Sequence, residues 1–139
     1  MISFVRVLRP ASLAVLQRLA CSTSATSSIA ADRIKDMIAK DDVVLFMKGT
    51  PAQPMCGFSK LATRILELQE VKFASYDVLE DDDLREGVKA YSDWPTIPQL
   101  YVKQQFVGGS DIMRQMLQDH SLDQLWKDNN IPFVPFSDD

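Results

Sequence analysis

Apolar and polar positions change period several times along this chain, and each change marks an element. Ile34, Met37 and Ile38 fall at helical spacing, so Asp32–Lys40 is expected to form a short amphipathic helix. Val43–Met47 is an unbroken apolar run, the pattern of a strand covered on both faces. Gly49–Pro54 holds one glycine and two prolines, which force a loop. Helical spacing returns over Gly57–Glu70, with Phe58, Leu61, Ile65 and Leu68 on one side. Phe73–Val78 alternates as a strand does. Asp81–Tyr91 reads as a helix with Leu84, Val88 and Tyr91 on one face and acids in its first turn, where the helix dipole favours them. Pro98–Lys103 and Gln105–Val107 are two short strands with a tight connection, hence a hairpin. Helices are expected over Asp111–Gln118 and Leu122–Asp128, and Met37, Met113 and Met116 sit at core positions of their helices.

Strands that alternate with helices imply a parallel pair, and the hairpin adds antiparallel strands. The expected fold class is therefore α/β, a small four-stranded mixed sheet flanked by helices. A thioredoxin-like fold has this order of elements.

Composition narrows the setting. With 139 residues the chain is long enough for one modest core but not two. Its net charge of −4 argues against a nucleic-acid partner, which calls for a basic surface. No apolar run approaches the roughly 18 residues of a membrane span, so no membrane partner is expected. Met1–Ala31 carries Arg6, Arg9 and Arg18, has no acid, and ends in a Ser/Thr-rich stretch from Cys21 to Ser28. That is the composition of an organellar transit peptide. Residues 1–30 are thus expected to be a mitochondrial import segment, 31–130 the folded domain, and 131–139 an irregular C-terminal tail. Two cysteines, Cys21 and Cys56, and one histidine, His120, cannot furnish a self-contained zinc site. If the leader is removed, Cys56 is the only thiol left.

The chemistry concentrates at Cys56. It follows the Gly49–Pro54 loop and opens a helix, where unpaired backbone N–H groups and the helix dipole stabilise a thiolate. Lys48, at the end of the preceding strand, adds positive charge if the loop folds back. A lone cysteine is more often an inert core residue. Here, however, Pro54 before it and Gly57 after it make a poor core, so a nucleophilic or ligating role is expected.

The stretch Lys48–Pro51, Pro54 and Cys56-Gly57-Phe58-Ser59 resembles the monothiol glutaredoxins of the CGFS class. Trp94–Pro98 and Gly108–Asp111 resemble the same family, in the same order, and the resemblance covers roughly Ile34 to Asn130. Together with the leader it implies the mitochondrial single-domain branch and a matrix location. In such relatives the proline at Pro98 is cis and faces the cysteine, so that the backbone of Ile97 meets bound glutathione. Spacing alone also allows a trans proline opening a strand. By the same resemblance Gly109, Ser110 and Asp111 grip the γ-glutamyl end of glutathione, and Lys48 and Arg85 its glycyl carboxylate. Asp111 could equally be a plain N-cap, and Lys48 and Arg85 plain solvated charges.

A second cysteine three residues after the first would resolve a mixed disulfide from within the protein, and here that position is Ser59. Any disulfide chemistry at Cys56 must therefore use external glutathione, and the chain is expected to be at most a weak oxidoreductase. A [2Fe–2S] cluster takes four ligands and one chain offers one thiolate. The resemblance implies that two protomers and two glutathiones complete the set, giving a homodimer when the cluster is bound. The expected function is transfer of that cluster to acceptor proteins in mitochondrial iron–sulfur assembly. The alternative is a glutathione-dependent thiol–disulfide oxidoreductase that deglutathionylates proteins, with Cys56 as its catalytic nucleophile.

Overall fold

The computed structural model describes residues 30–137. The expected import segment, with Cys21, lies outside the described residues, as do the last two. The first helix, α1, covers residues 30–40. It is followed by β1 (Val43–Met47), α2 (Gly57–Leu68), β2 (Ala74–Asp77), α3 (Asp82–Ser92), β3 (Gln99–Val102), β4 (Gln105–Gly108), α4 (Ser110–Gln118) and α5 (Ser121–Asp128). The sheet runs β2-β1-β3-β4, with β1 and β2 parallel and both other pairings antiparallel. This is the four-stranded mixed sheet the element order implied.

The apolar run of β1 is explained by its place at the centre. Side chains alternate across a strand. Val44 and Phe46 therefore enter a core with Ile34, Ile38, Leu84, Val88 and Tyr101, beneath α1 and α3. Val43, Leu45 and Met47 enter a second core with Ala62, Leu66, Met113, Leu122 and Trp126, beneath α2, α4 and α5. Every residue of β1 is buried. β3 divides in the same way, Leu100 and Val102 to one core and Tyr101 to the other. The hairpin between β3 and β4 closes through Lys103 and Gln104, both at positive φ (50° and 68°). That conformation matches the twist of the two strands.

Three details depart from the expected pattern. The stripe Phe58–Leu61–Ile65–Leu68 packs only through its middle, Ile65 in the core and Leu61 against it. Ser59, Ala62, Thr63, Ile65 and Leu66 are buried, whereas Phe58 and Leu68 are exposed. The helix is rotated by about one residue, some 100°, because Ala62 and Leu66 meet the sheet. α2 also stops at Leu68, short of Glu70. Gln69 turns inward to bond Asp123 and Trp126 through its side chain, and Glu70 takes the left-handed conformation (φ 51°). On α3, Leu84 and Val88 are buried as expected, but Tyr91 is exposed. Residues 131–137 have no regular structure, yet they are not loose. Ile131 is buried, Phe133 and Phe136 pack on the second core, and the Val134 N–H donates to the Gln69 carbonyl at 2.7 Å.

Candidate functional site

The loop after β1 folds back on itself. The Met55 N–H donates to the Lys48 carbonyl at 2.8 Å, and Thr50 and Gln53 exchange backbone bonds at 3.2 and 3.0 Å. Gly49 makes the reversal possible at φ 90°, where a Cβ would lie 2.5 Å from the Gln53 carbonyl oxygen. Its N–H is anchored by the Asp77 carboxylate at 2.9 Å, which ties the loop to the end of β2. Lys48 is therefore brought back towards the start of α2, the condition under which its charge reaches Cys56.

Cys56 is the N-cap of α2, in extended conformation (φ −150°, ψ 156°), and is partly exposed. Its Sγ accepts from the Ser59 N–H at 3.4 Å and, as a thiol, donates to the Ser59 hydroxyl oxygen at 3.4 Å, a pairing that reverses when the sulfur is a thiolate. The same hydroxyl oxygen accepts from the Lys48 N–H at 3.0 Å. Ser59 thus faces both the sulfur and the folded-back loop. Partial burial pushes the thiol up. The Ser59 hydroxyl, the Ser59 and Phe58 N–H groups and the Lys48 charge together outweigh it and hold Cys56 below the ordinary thiol value. The cysteine is thus a partly exposed, acidified thiol at a helix start rather than a buried core residue.

Beside it lies a cleft of about 440 Å³, within the range of small-molecule sites. Lys48, Arg85, Ile97, Gly109, Ser110 and Asp111 all line it. The fold thus gathers six residues from four separate stretches of sequence. Cys56 itself stands at the margin rather than in the wall; its neighbours Lys48 and Phe58 form the wall there. Arg85 reaches the cleft from α3, on one face of the sheet, and Ser110 and Asp111 from α4, on the other. The Ile97–Pro98 bond is cis. Gln99 holds this turn from below, its side-chain amide donating to the carbonyls of Trp94 and Thr96, each at 3.1 Å.

The N-cap of α4 is Gly109, not Asp111, and no side chain caps that end. Asp111 sits exposed in the first turn. A Cβ on Gly109 would lie 3.3 Å from the Pro98 carbonyl oxygen, so the glycine lets two walls of the cleft approach closely. Arg85 is not simply solvated. It pairs with Asp82 at 3.1 Å and approaches Glu86 at 3.6 Å. Sequence reasoning missed Lys89, which lines the cleft one helical turn beyond Arg85. The spacing of four residues on one helix was the available signal. It also left Phe58, Thr96 and Ile112 out of the cleft wall, and overlooked the Ser59 hydroxyl as a hydrogen-bond partner of the sulfur.

The glutaredoxin family model matches residues 43–107, which include the thiol and the cis turn. A mitochondrial monothiol glutaredoxin-5 of Schizosaccharomyces pombe is 51% identical over 100 residues, covering 70% of this chain and 68% of the relative. The chain belongs to the monothiol glutaredoxins. This monothiol glutaredoxin is also 50% identical over 106 residues to the mitochondrial glutaredoxin-related protein 5 of Danio rerio, covering 76% of the chain and 65% of that protein. The chain spans about two thirds of the length of these two relatives and 27% of a rice relative. Among solved structures, a monomeric truncated mutant of Trypanosoma brucei 1-C-Grx1 is 44% identical and superimposes with a TM-score of 0.67, over 73% of this chain and 92% of that one. The expected thioredoxin-like fold is the fold of these glutaredoxins, and the names of both sequence relatives carry the expected mitochondrial location.

Proposed function

We propose that this monothiol glutaredoxin binds glutathione along the cleft and, as a pair of protomers with two glutathiones, carries a [2Fe–2S] cluster to acceptor proteins of mitochondrial iron–sulfur assembly. The observation that carries the reading is one acidified, accessible thiol at the margin of a cleft whose charges complement the tripeptide. Lys48 and Arg85, with Lys89, offer cations for the glycyl carboxylate. The uncapped start of α4 suits the α-carboxylate of the γ-glutamyl end, and Asp111 its ammonium. Ile97 and Pro98 present backbone to a peptide ligand, and the ligand thiol is thereby brought towards Cys56.

The donor chemistry supports cargo carriage over catalysis. Among the described residues no three metal-ligating side chains gather, so one protomer supplies Cys56 and the remaining thiolates come from elsewhere. Half of such a ligand set is exchangeable, which favours handing the cluster on. Ser59, in the place of a resolving thiol, instead stabilises the thiolate as a ligand. The test is the visible spectrum, with iron and sulfide counts, of protein prepared anaerobically with glutathione. A brown dimer with about one cluster per pair supports the reading, together with a colourless Cys56→Ser variant. A colourless monomer with rapid glutathione-dependent disulfide turnover refutes it and establishes the oxidoreductase instead.

A further inference from the structure

The methionines among the described residues fall into two classes. Met47 and Met113 are fully buried, Met37 is 8% exposed, and Met116 packs against the core. Met55 is 62% exposed and immediately precedes the reactive thiol. Its backbone is held by the bond to Lys48, and its Cγ lies 2.7 Å from where a Cβ on Gly49 would stand, so the stem rests on the loop glycine. Phe58, two residues after Cys56, is 60% exposed. Two large apolar side chains thus flank the sulfur, both open to solvent. In the function proposed above this thiol meets a second protomer's, and an apolar rim around it then serves as contact surface. A thioether in such a rim is also accessible to oxidants, in a way the core methionines are not.

We propose that Met55 is an oxidation site through which peroxide controls cargo loading. A lone pair of the thioether sulfur attacks one peroxide oxygen, the O–O bond breaks and an S–O bond forms. The second oxygen leaves as water after taking up a proton. The sulfur is oxidised by two electrons and the peroxide reduced by two. The product sulfoxide is polar and chiral, and it sits where the rim was apolar. It opposes close approach of the second protomer, and reduction by methionine sulfoxide reductases reverses the effect. The consequence for loading rests on the function proposed above, whereas the site of oxidation does not.

The test uses the cluster-free protein with Cys56 held as a mixed disulfide with glutathione. It is treated with hydrogen peroxide, quenched with catalase, and reduced with dithiothreitol, which frees the thiol but leaves a sulfoxide. Peptide mass spectrometry is expected to find added oxygen on Met55 about tenfold ahead of Met37, Met47 and Met113. Equal oxidation of all four overturns the site. The treated protein is then loaded anaerobically with ferrous iron, sulfide and glutathione. Cluster absorbance of the wild type is expected to fall to about a third of its untreated value. It recovers after methionine sulfoxide reductase, while Met55→Leu keeps its own untreated value. Undiminished loading of oxidised wild type, or an equal loss in Met55→Leu, overturns the control. Untreated wild type that loads no cluster overturns the function proposed above and this consequence with it, and the peptide map still judges the oxidation site.

Discussion

Replacing Ser59 with alanine tests how the thiolate is held. The hydroxyl and the N–H of Ser59 each lie 3.4 Å from Cys56 Sγ; the hydroxyl oxygen accepts from the thiol and the Lys48 N–H (3.0 Å), and its own proton turns to the sulfur once that is a thiolate. A hydrogen bond to a charged group contributes about 1.5–3 kcal/mol. This one is long and its acceptor is partly solvated, so about 1 kcal/mol is the reasonable share. Its loss should cut the thiolate fraction on the rising limb of the titration about fivefold. The assay is the rate of iodoacetamide alkylation as a function of pH, with circular dichroism confirming the fold. Ser59→Ala should move the profile towards higher pH. The folded thiol is held below its unfolded value, so the stabilisation is fully present above the ordinary thiol range and lost as pH falls through the folded value. The deficit in stability of Ser59→Ala should therefore grow with rising pH. Salt separates the causes. The Lys48→Ala effect is Coulombic and should shrink at high ionic strength, whereas the Ser59→Ala effect should persist. A Ser59→Ala profile that superimposes on wild type in a folded protein would refute the role of the hydroxyl and leave the helix-start N–H groups and the Lys48 charge as the sources of acidity.

Three further outcomes are expected. Gly49→Ala should destabilise the protein by about 2 kcal/mol or more, read by urea unfolding, because φ 90° and a Cβ 2.5 Å from the Gln53 carbonyl leave a side chain no room. Burial pushes Tyr101 up to about 12, so the folded state keeps a proton that the unfolded chain has released. Stability gained from this is complete below about pH 10 and is lost as pH rises towards 12; the loss is about 2–3 kcal/mol and should be absent in Tyr101→Phe, measured as the difference between their unfolding free energies across that range. Lys89→Ala should raise the glutathione dissociation constant about fivefold by calorimetry with little change in melting temperature, and equal affinity would remove Lys89 from the carboxylate end of the cleft.

Local chemistry made much of this protein legible before folding was considered. The unbroken apolar run Val43–Met47 could only be a strand covered on both sides, and it is the central one. Pro54, Cys56 and Gly57 marked a thiol at a helix start because those residue types suit a turn and its first exposed N–H groups. The three segments that suggested a tripeptide site do line one cleft. Other features were out of reach. Periodicity identified an apolar stripe on α2 but could not say that the sheet would cover its neighbour and leave Phe58 outside. The two prolines of the tail suggested irregular backbone, but its docking depends on a Gln69 carbonyl more than sixty positions earlier.

By itself, then, the chain specified whatever depends on neighbours in sequence: element type, the turn chemistry of the loop, and the residue kinds at each helix start. Only the tertiary structure decided which of those residues meet. Lys48, Lys89 and Asp111 share a cleft because the β2-β1-β3-β4 order sets α3 and α4 on opposite faces of one sheet, above the end of β1. The acidity of Cys56 has the same double origin. Its place at the start of α2 is local, but the Lys48 charge beside it comes from the residue just after β1, at the far end of the loop. Distance along the chain carries no information about such pairs, since their contact energy is realised only when burial of the two cores holds the strands and helices in register.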